Sequence, residues 1–203
     1  MKFSFRRLRK SLKTKQNPEE YLRLEEQLNS LLSLEKEGYL NVYFGDESGF
    51  NLDPSIPYGW QPIGIYKGIV PQSSKRRNVF WLLSTKNHFV GYDVVGSMNS
   101  DLVIGFIDDF IKEIKQKTII VLDNATIHKS KAFQKKKEQW EEQDLYIWYL
   151  PTYSPHLNRI EILWRKIKYE WLKPNDYLNW KSLNNAIDEI LANIGERYAI
   201  DFT

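Results

Sequence analysis

Three acidic residues stand where carboxylates could act together. The strand predicted over residues 39–46 ends at Asp46, an apolar strand over residues 118–125 includes Asp123, and Glu161 opens a helix after a proline-rich loop. In open sheets, sites gather at the carboxyl ends of strands and at the helix starts beside them. Three hard oxygen ligands suit Mg²⁺ or Mn²⁺. Two such ions held close together can promote phosphoryl transfer. A strand-end Asp is also a common turn former, so position alone leaves both interpretations open.

The elements that must position these acids follow a simple order. Strands are predicted over residues 39–46, 79–85, 88–95, 118–125 and 145–150. Helices are predicted over residues 18–37, about 100–116, 130–143, 158–172 and 180–197. Antiparallel strands followed by alternating helices and strands indicate an α/β fold, a mixed five-stranded sheet flanked by helices. The glycine motifs of nucleotide-binding folds, GxGxxG and GxxxxGK[ST], are absent from the sequence.

Two turn predictions connect the first strands. Lys86 and Asn87 separate two strand patterns and predict a hairpin, and Ser48–Gly49 predicts a turn directly after the first strand. Before the sheet, Asn17 and Pro18 predict the start of a helix that ends at Gly38. This helix is expected to connect the N-terminal segment to the main domain.

The composition restricts the class of protein. The 203 residues suit one domain, and 42% hydrophobic with 27% charged residues is typical of a globular chain. The lack of cysteine excludes disulfides, thiolate zinc sites, iron–sulfur clusters and cysteine nucleophiles. No apolar run approaches the roughly 18 residues that span a bilayer, and no secretory signal follows the basic N-terminus. We therefore expect a soluble, cytoplasmic protein.

The charge is distributed unevenly. Residues 1–15 carry seven basic side chains and no acid, which leaves 22 basic against 26 acidic side chains in the rest of the chain. A basic arm on a mildly acidic body is common in proteins that touch a polyanion. A solvated tail or a translation-start remnant would explain the same charge. The candidate DNA contacts in this arm are Arg6, Arg7, Arg9 and Lys10.

Three sequence motifs surround the acids. They are FGDESGF with GWQPIG downstream, VLDNATIH, and LPTYSPHLNRIEILWRKIK. In order and position they resemble the catalytic core of mariner-type DDE transposases, in particular those of bacterial insertion sequences, over residues 39–173. The resemblance implies an RNase H-like fold, with Asp46, Asp123 and Glu161 as catalytic residues and as ligands of two Mg²⁺ ions, for which Mn²⁺ substitutes. Arg159 departs from the proline that family members commonly have there.

The resemblance also implies a function. Such enzymes hydrolyse a phosphodiester at the transposon end with metal-activated water, and the freed 3′-hydroxyl then attacks target DNA. The expected partners are double-stranded DNA, in the bacterial nucleoid, and a second copy of the chain, since relatives work on paired ends. Residues 1–38 would form a basic arm and linker helix, and residues 39–203 the catalytic domain. The helix-turn-helix modules of full-length relatives do not fit before this domain, so we expect a split or truncated gene product.

Several residues near the acids keep two interpretations. His128 could touch DNA or a metal-bound water, or it could position its loop, and Glu47 could be a fourth acid or a turn residue. Arg165 and Lys168 lie near Glu161 on the predicted helix, where they could neutralise DNA phosphate or simply pair with that acid. Two other functions also remain open. One is an RNase H-like endonuclease without strand transfer, and the other is a truncated or domesticated remnant that binds DNA without catalysis.

Overall fold

A mixed sheet of five strands forms the centre of the computed structural model, which describes residues 15–54, 62–64 and 75–202. The strands are β1 (Asn41–Phe50), β2 (Arg77–Ser84), β3 (Phe89–Val95), β4 (Thr118–Leu122) and β5 (Leu145–Tyr149). Their order across the sheet is β3-β2-β1-β4-β5. β2 is antiparallel to both β1 and β3, whereas β4 runs parallel to β1 and to β5. The predicted mixed five-stranded sheet and its first hairpin are therefore confirmed.

Within the described ranges, five helices cover the sheet. They are α1 (Pro18–Lys36), α2 (Ser100–Phe110), α3 (Lys131–Glu141), α4 (Ile160–Lys166) and α5 (Trp180–Ala192). A single π-helical turn, Ile167–Trp171, extends α4. Short 3₁₀ turns cover Thr126–Lys129, Pro155–Leu157 and Pro174–Leu178. None of the described helices is long and apolar enough to cross a membrane.

Side-chain caps explain where the helices begin. Asn17 accepts hydrogen bonds from the backbone N–H groups of Glu19 and Glu20, as its position before Pro18 predicts. The side chains of Asn99, Ser130 and Asn179 each accept one such bond at the start of α2, α3 and α5. These bonds satisfy N–H groups that have no partner inside the helix.

Each face of the sheet has its own apolar layer. Leu28 of α1, Trp164 of α4 and Ile187 of α5 are buried against one face. Ile107 of α2 and Phe133 of α3 are buried against the other. The α1 helix therefore packs on the sheet.

A buried carboxylate also fastens α1 to the strands. Glu35, near the end of the helix, accepts hydrogen bonds from Val42 N at 3.1 Å and from Thr85 Oγ1 at 2.7 Å. Only 3% of Glu35 is exposed. Because a buried carboxylate is costly unless it is hydrogen-bonded, these two bonds keep α1 in a fixed position.

The first strand is longer than its sequence pattern predicts. Its parallel pairing with β4 ends at Phe44, but its antiparallel pairing with β2 continues to Phe50. Asp46 therefore lies inside β1 rather than at its end, and the predicted Ser48–Gly49 turn is wrong. Gly49 is extended in β1, and a Cβ there would meet only the guanidinium of Arg76, the flexible end of a side chain that can move aside.

Three other elements end earlier than predicted. β4 ends at Leu122 because the carboxylate of Asp123 accepts a hydrogen bond from Ala125 N and turns the chain. α2 ends at Phe110, where bonds between residues three apart tighten the next turn. α5 ends at Ala192, shortly before Gly195, which adopts a positive φ of 88°.

Candidate active site

Asp46 is held by a tryptophan of the neighbouring helix. The indole Nε1 of Trp164 in α4 donates a hydrogen bond of 3.0 Å to Asp46 Oδ2. Trp164 is itself fixed against Trp81, with 4.7 Å between the ring centroids. Burial and the nearby negative charge of Glu161 raise the pKa of Asp46 to about 7, although the hydrogen bond from Trp164 opposes the rise. Asp46 therefore takes up a proton near neutral pH in the absence of a cation.

Asp123 is held by a buried histidine. Its Oδ1 lies 3.1 Å from Nδ1 of His128 and 2.9 Å from Ala125 N. Because a carboxylate accepts hydrogen bonds, the Nδ1 of His128 carries the hydrogen. The hydrogen bond from His128, with that from Ala125 N, brings the pKa of Asp123 below its ordinary value, although burial opposes this. Asp123 is therefore charged at neutral pH.

His128 also lies next to Glu47. Its ring is 1% exposed and packs against Phe80 and Phe133, and its Nε2 lies 3.9 Å from Glu47 Oε1. That nitrogen is buried and has no hydrogen-bond partner among the residues that the structure describes. His128 is thus out of contact with solvent, and its polar contacts point to carboxylates. This placement favours positioning of the loop over direct contact with DNA.

Glu161 reaches the same place from the first turn of α4. The preceding Asn158 is buried, and its Nδ2 donates to Gly45 O at 3.1 Å, which joins the start of α4 to β1 next to Asp46. Asp46, Asp123 and Glu161 all line one cavity of about 460 Å³. Partial desolvation there raises the pKa of Glu161, the positive charge of Lys168 opposes the rise, and the negative charge of Asp123 adds to it. The structure therefore brings the three predicted acids together.

Basic side chains line an adjoining cavity of about 580 Å³ that shares Asp46 and Glu161 with the first. Lys168, in the π-helical turn, donates from Nζ to Ser48 Oγ at 2.7 Å and lies over the ring of Phe50. Burial lowers the pKa of Lys168, and the positive charge of Arg76 contributes to this. Arg165 is exposed at the same cavity. Among the described residues, neither cation is ion-paired with Glu161.

A sequence profile described as DDE superfamily endonuclease matches residues 41–184. The chain belongs to this family. The matched residues contain all three acids and every strand of the sheet. Thus the geometry described above lies in the part of the chain that defines this DDE superfamily member.

A protein relative and two solved structures are similar to this DDE superfamily chain. The insertion element IS630 uncharacterized 39 kDa protein of Shigella sonnei is 30% identical over 134 residues, which are 62% of this chain and 37% of that protein. The chain therefore spans little more than a third of that relative's length.

The structural likeness concerns the fold. A Mos1 strand transfer complex is similar with a TM-score of 0.61 and 15% identity, over 93% of this chain and 58% of that one. The catalytic domain of Mos1 mariner transposase is similar with a TM-score of 0.54 and 15% identity, over 87% and 82% of the two chains. The predicted RNase H-like fold is thereby confirmed.

The donor set of the DDE chain fits a divalent cation by its chemistry. Asp46, Asp123 and Glu161 offer hard carboxylate oxygens around one cavity. Within residues 15–54, 62–64 and 75–202, no three His, Cys, Asp or Glu side chains are arranged closely enough to bind one metal ion together. Burial first, and then the negative charge of the neighbouring acids, raise the pKa of both Asp46 and Glu161, and a bound cation would offset the repulsion between these acids.

The remaining predicted site residues belong to the basic N-terminal arm. The arm residues Arg6, Arg7, Arg9 and Lys10 lie outside the described residues. Next to the arm, Gln16 Nε2 donates to Tyr153 O at 2.8 Å and to Ser154 Oγ at 2.9 Å. Tyr153 and Ser154 line the carboxylate cavity. The start of α1 therefore contacts the active-site loop, which no sequence pattern predicts.

Proposed function

We propose that this chain is the catalytic domain of a transposase of the bacterial insertion-sequence type. It would cleave phosphodiester bonds at transposon ends and join the freed 3′ ends to target DNA. The observation that carries the proposal is the convergence of Asp46, Asp123 and Glu161 on one cavity, from β1, the end of β4 and the start of α4. Membership of the DDE superfamily endonuclease family supports it.

Asp46, Asp123 and Glu161 would hold two Mg²⁺ ions, with Mn²⁺ as a substitute. When bound, such ions activate the attacking oxygen and stabilise the leaving oxygen of a phosphoryl transfer. In cleavage, a water molecule loses a proton and its oxygen forms a bond to phosphorus, while the bond from phosphorus to the 3′ oxygen breaks and the 3′ oxygen takes up a proton. In joining, the 3′-hydroxyl loses its proton and forms a bond to a target phosphorus, while the bond from that phosphorus to the target strand's own 3′ oxygen breaks and that oxygen takes up a proton.

The chain's own residues orient these groups. Trp164 fixes one oxygen of Asp46, and His128 fixes one oxygen of Asp123. Asn158 fastens the first turn of α4 to β1, which keeps Glu161 near both. Such fixed orientation is the protein's main contribution to phosphoryl transfer, together with neutralisation of charge. We assign the neutralisation of charge to Lys168 and Arg165, which line the cavity next to the acids.

The proposed partners are double-stranded DNA and a second copy of this chain. The exposed side chains of Lys129 and Arg165 and the half-buried Lys168 line the cavities next to the acids and support contact with a polyanion. Recognition of the transposon ends would belong to a helix-turn-helix region, which we assign to a separate part of the transposase.

A joining assay tests the function. The chain is incubated with Mn²⁺, a labelled duplex carrying a pre-cut 3′ end, and a supercoiled plasmid. We expect labelled plasmid to form, and to be lost in Asp46→Asn and Glu161→Gln. The matched control is Asp109→Asn, an exposed acid of α2 that forms an ion pair with Lys112 and does not line either cavity. Plasmid nicking without joining would instead indicate an endonuclease, and neither product would indicate a non-catalytic remnant.

A further inference from the structure

Helix α3 and the turn before it form a strongly basic segment next to the carboxylates. Five lysines occur within nine residues, namely Lys129, Lys131, Lys135, Lys136 and Lys137. Lys136 forms an ion pair with Asp108 at 2.8 Å, and Lys137 forms one with Glu141 at 3.7 Å. The other three are exposed, and no ion pair holds them within the described part of the chain. These three, Lys129, Lys131 and Lys135, are called the lysine face below.

The charges along α3 oppose what helix stability favours. Lys131 stands in the first turn, where no acid is present, and Glu138 and Glu141 lie in the second half, where the last turn has no basic residue. A helix is stabilised by acids near its N-terminus and by bases near its C-terminus. The folding of α3 therefore does not explain this arrangement. A polyanion bound at the basic end would offset the unfavourable charge there.

The lysine face begins at the candidate active site. Lys129 lines the same cavity as Asp123 and Glu161. Lys131 and Lys135 are four residues apart, and so share one side of α3, while Phe133 is buried against the sheet. The face therefore leads away from the Asp123 side of the cavity.

A second basic group lies across the acids. Arg165 and Lys168 line the adjoining cavity, which shares Asp46 and Glu161 with the first. The carboxylates thus lie between two sets of cations. A polyanion long enough to pass over the acids would meet cations on both sides of the point of reaction.

We propose that the lysine face binds the phosphate backbone of duplex DNA on the Asp123 side of the active site. The inference rests on the proposed function, and it names the surface that carries the DNA away from the reacting phosphate. Lysine binds phosphate as a point charge without reading bases, and duplex DNA presents phosphates in a regular row. The contact is therefore independent of DNA sequence and sensitive to salt.

The test compares two triple variants with the same change in net charge. K129Q/K131Q/K135Q removes the lysine face. K86Q/K115Q/K117Q removes three exposed lysines at the ends of the strands that lie away from the acids, in the β2–β3 hairpin and before β4. Binding of a labelled random-sequence duplex is measured by fluorescence anisotropy at several salt concentrations. Each lost phosphate contact lowers the slope of log affinity against log salt by about 1.

We expect the lysine-face variant to bind on the order of a hundredfold more weakly than wild type at about 0.1 M salt, with a salt slope smaller by about 3. The control variant should keep the wild-type slope, and so should K129R/K131R/K135R, which preserves the charge. Thermal unfolding checks that all variants are folded. Equal slopes for the lysine-face variant and the control would overturn the inference, and so would a wild-type chain that does not bind duplex DNA at low salt.

Failure of this inference is distinguishable from failure of the proposed function. In the same preparations, stabilisation by Mn²⁺ is measured for wild type and Asp46→Asn without DNA. Equal slopes beside an Mn²⁺ effect that depends on Asp46 would reject the lysine face and keep the proposed function. A reduced slope without any Mn²⁺ effect or joining would keep the lysine face and reject the transposase.

Discussion

Trp164 Nε1 donates a hydrogen bond to Asp46 Oδ2 over 3.0 Å, although 118 positions separate the two residues in sequence. Trp164 lies one helical turn after Glu161 on α4, so a single helix both supplies one acid and fixes another. The relative position of Asp46 and Glu161 therefore depends on the packing of α4 against β1. Packing of Trp164 against Trp81 and Phe50 makes that contact rigid.

Trp164→Phe tests this link, because it keeps an aromatic ring and removes the donor. We expect a loss of about 1.5–3 kcal/mol in the free energy of unfolding, the range for hydrogen bonds to charged groups. The pKa of Asp46 should rise further, since this bond lowers it. Urea unfolding at pH 8 measures the first effect, with Trp180→Phe on α5 as the matched control. A loss no greater than that of the control would contradict the role of the bond.

Stability should fall as pH rises from about 4 to above 7. The pKa of Asp46 is about 7 in the folded protein against an ordinary 3.8, so the folded state binds more protons than the unfolded state in that range. Its contribution to stability is therefore present at low pH and is lost as pH rises through 7. The raised pKa of Glu161 acts in the same direction. The lowered pKa of Asp123 acts oppositely, with stability lost at pH values below its ordinary 3.8.

Urea unfolding at a series of pH values checks this dependence. Asp46→Asn should flatten the decline between pH 4 and 7, whereas Asp109→Asn should leave it unchanged, because Asp109 is 78% exposed in its ion pair. A decline of the same slope in Asp46→Asn and wild type would show that another group is responsible.

Divalent metal should stabilise the wild-type chain. A ligand that binds only the folded state at about 100 times its dissociation constant adds roughly 2.7 kcal/mol. We expect Mn²⁺ and Mg²⁺ to raise the midpoint of thermal unfolding in wild type and not in Asp46→Asn or Asp123→Asn. The readout is the shift on adding metal to each variant, so a change in the metal-free midpoint does not affect it. An undiminished shift in both variants would place the metal elsewhere.

His128 is expected to act through Asp123. His128→Leu removes the hydrogen bond to Asp123 Oδ1 and should weaken Mn²⁺ binding by about tenfold or more, as for other groups that orient a metal ligand. His128→Asn places an amide N–H near the position of Nδ1 and should restore most of the affinity. The Mn²⁺ concentration that gives half of the thermal stabilisation is the measurement. Equal affinities for the two variants would show that His128 only fills space.

The sequence predicts the strands, the hairpin and the family correctly because those features are local or depend on short motifs. The residues just before Asp123 are apolar at consecutive positions, as a central strand that is buried on both faces requires. The end of β1 was not predictable in this way, because Ser48 and Gly49 suit a turn, and only pairing with β2 keeps them extended.

Contacts between distant residues were also beyond the sequence patterns. Trp164 is an ordinary apolar position of its helix until β1 brings Asp46 next to it. No sequence pattern marks Gln16 itself as a contact residue, yet its side chain donates hydrogen bonds to the loop that lines the cavity. The lysines of α3 stand out by charge alone, and their relation to the acids follows from the position of Lys129 in the folded chain.

β1 pairs with two strands along its first part and with only one along its second part, and this difference affects where the chain can change in length. Beyond Phe44 the strand continues for six residues beside β2 alone, about 20 Å at the rise of an extended chain. The connection between β1 and β2 therefore begins far beyond Asp46, and the paired segment insulates the carboxylate from changes in that connection. Insertions or deletions between Phe50 and Arg77 would therefore change the length of the chain without displacing Asp46 from the other two acids.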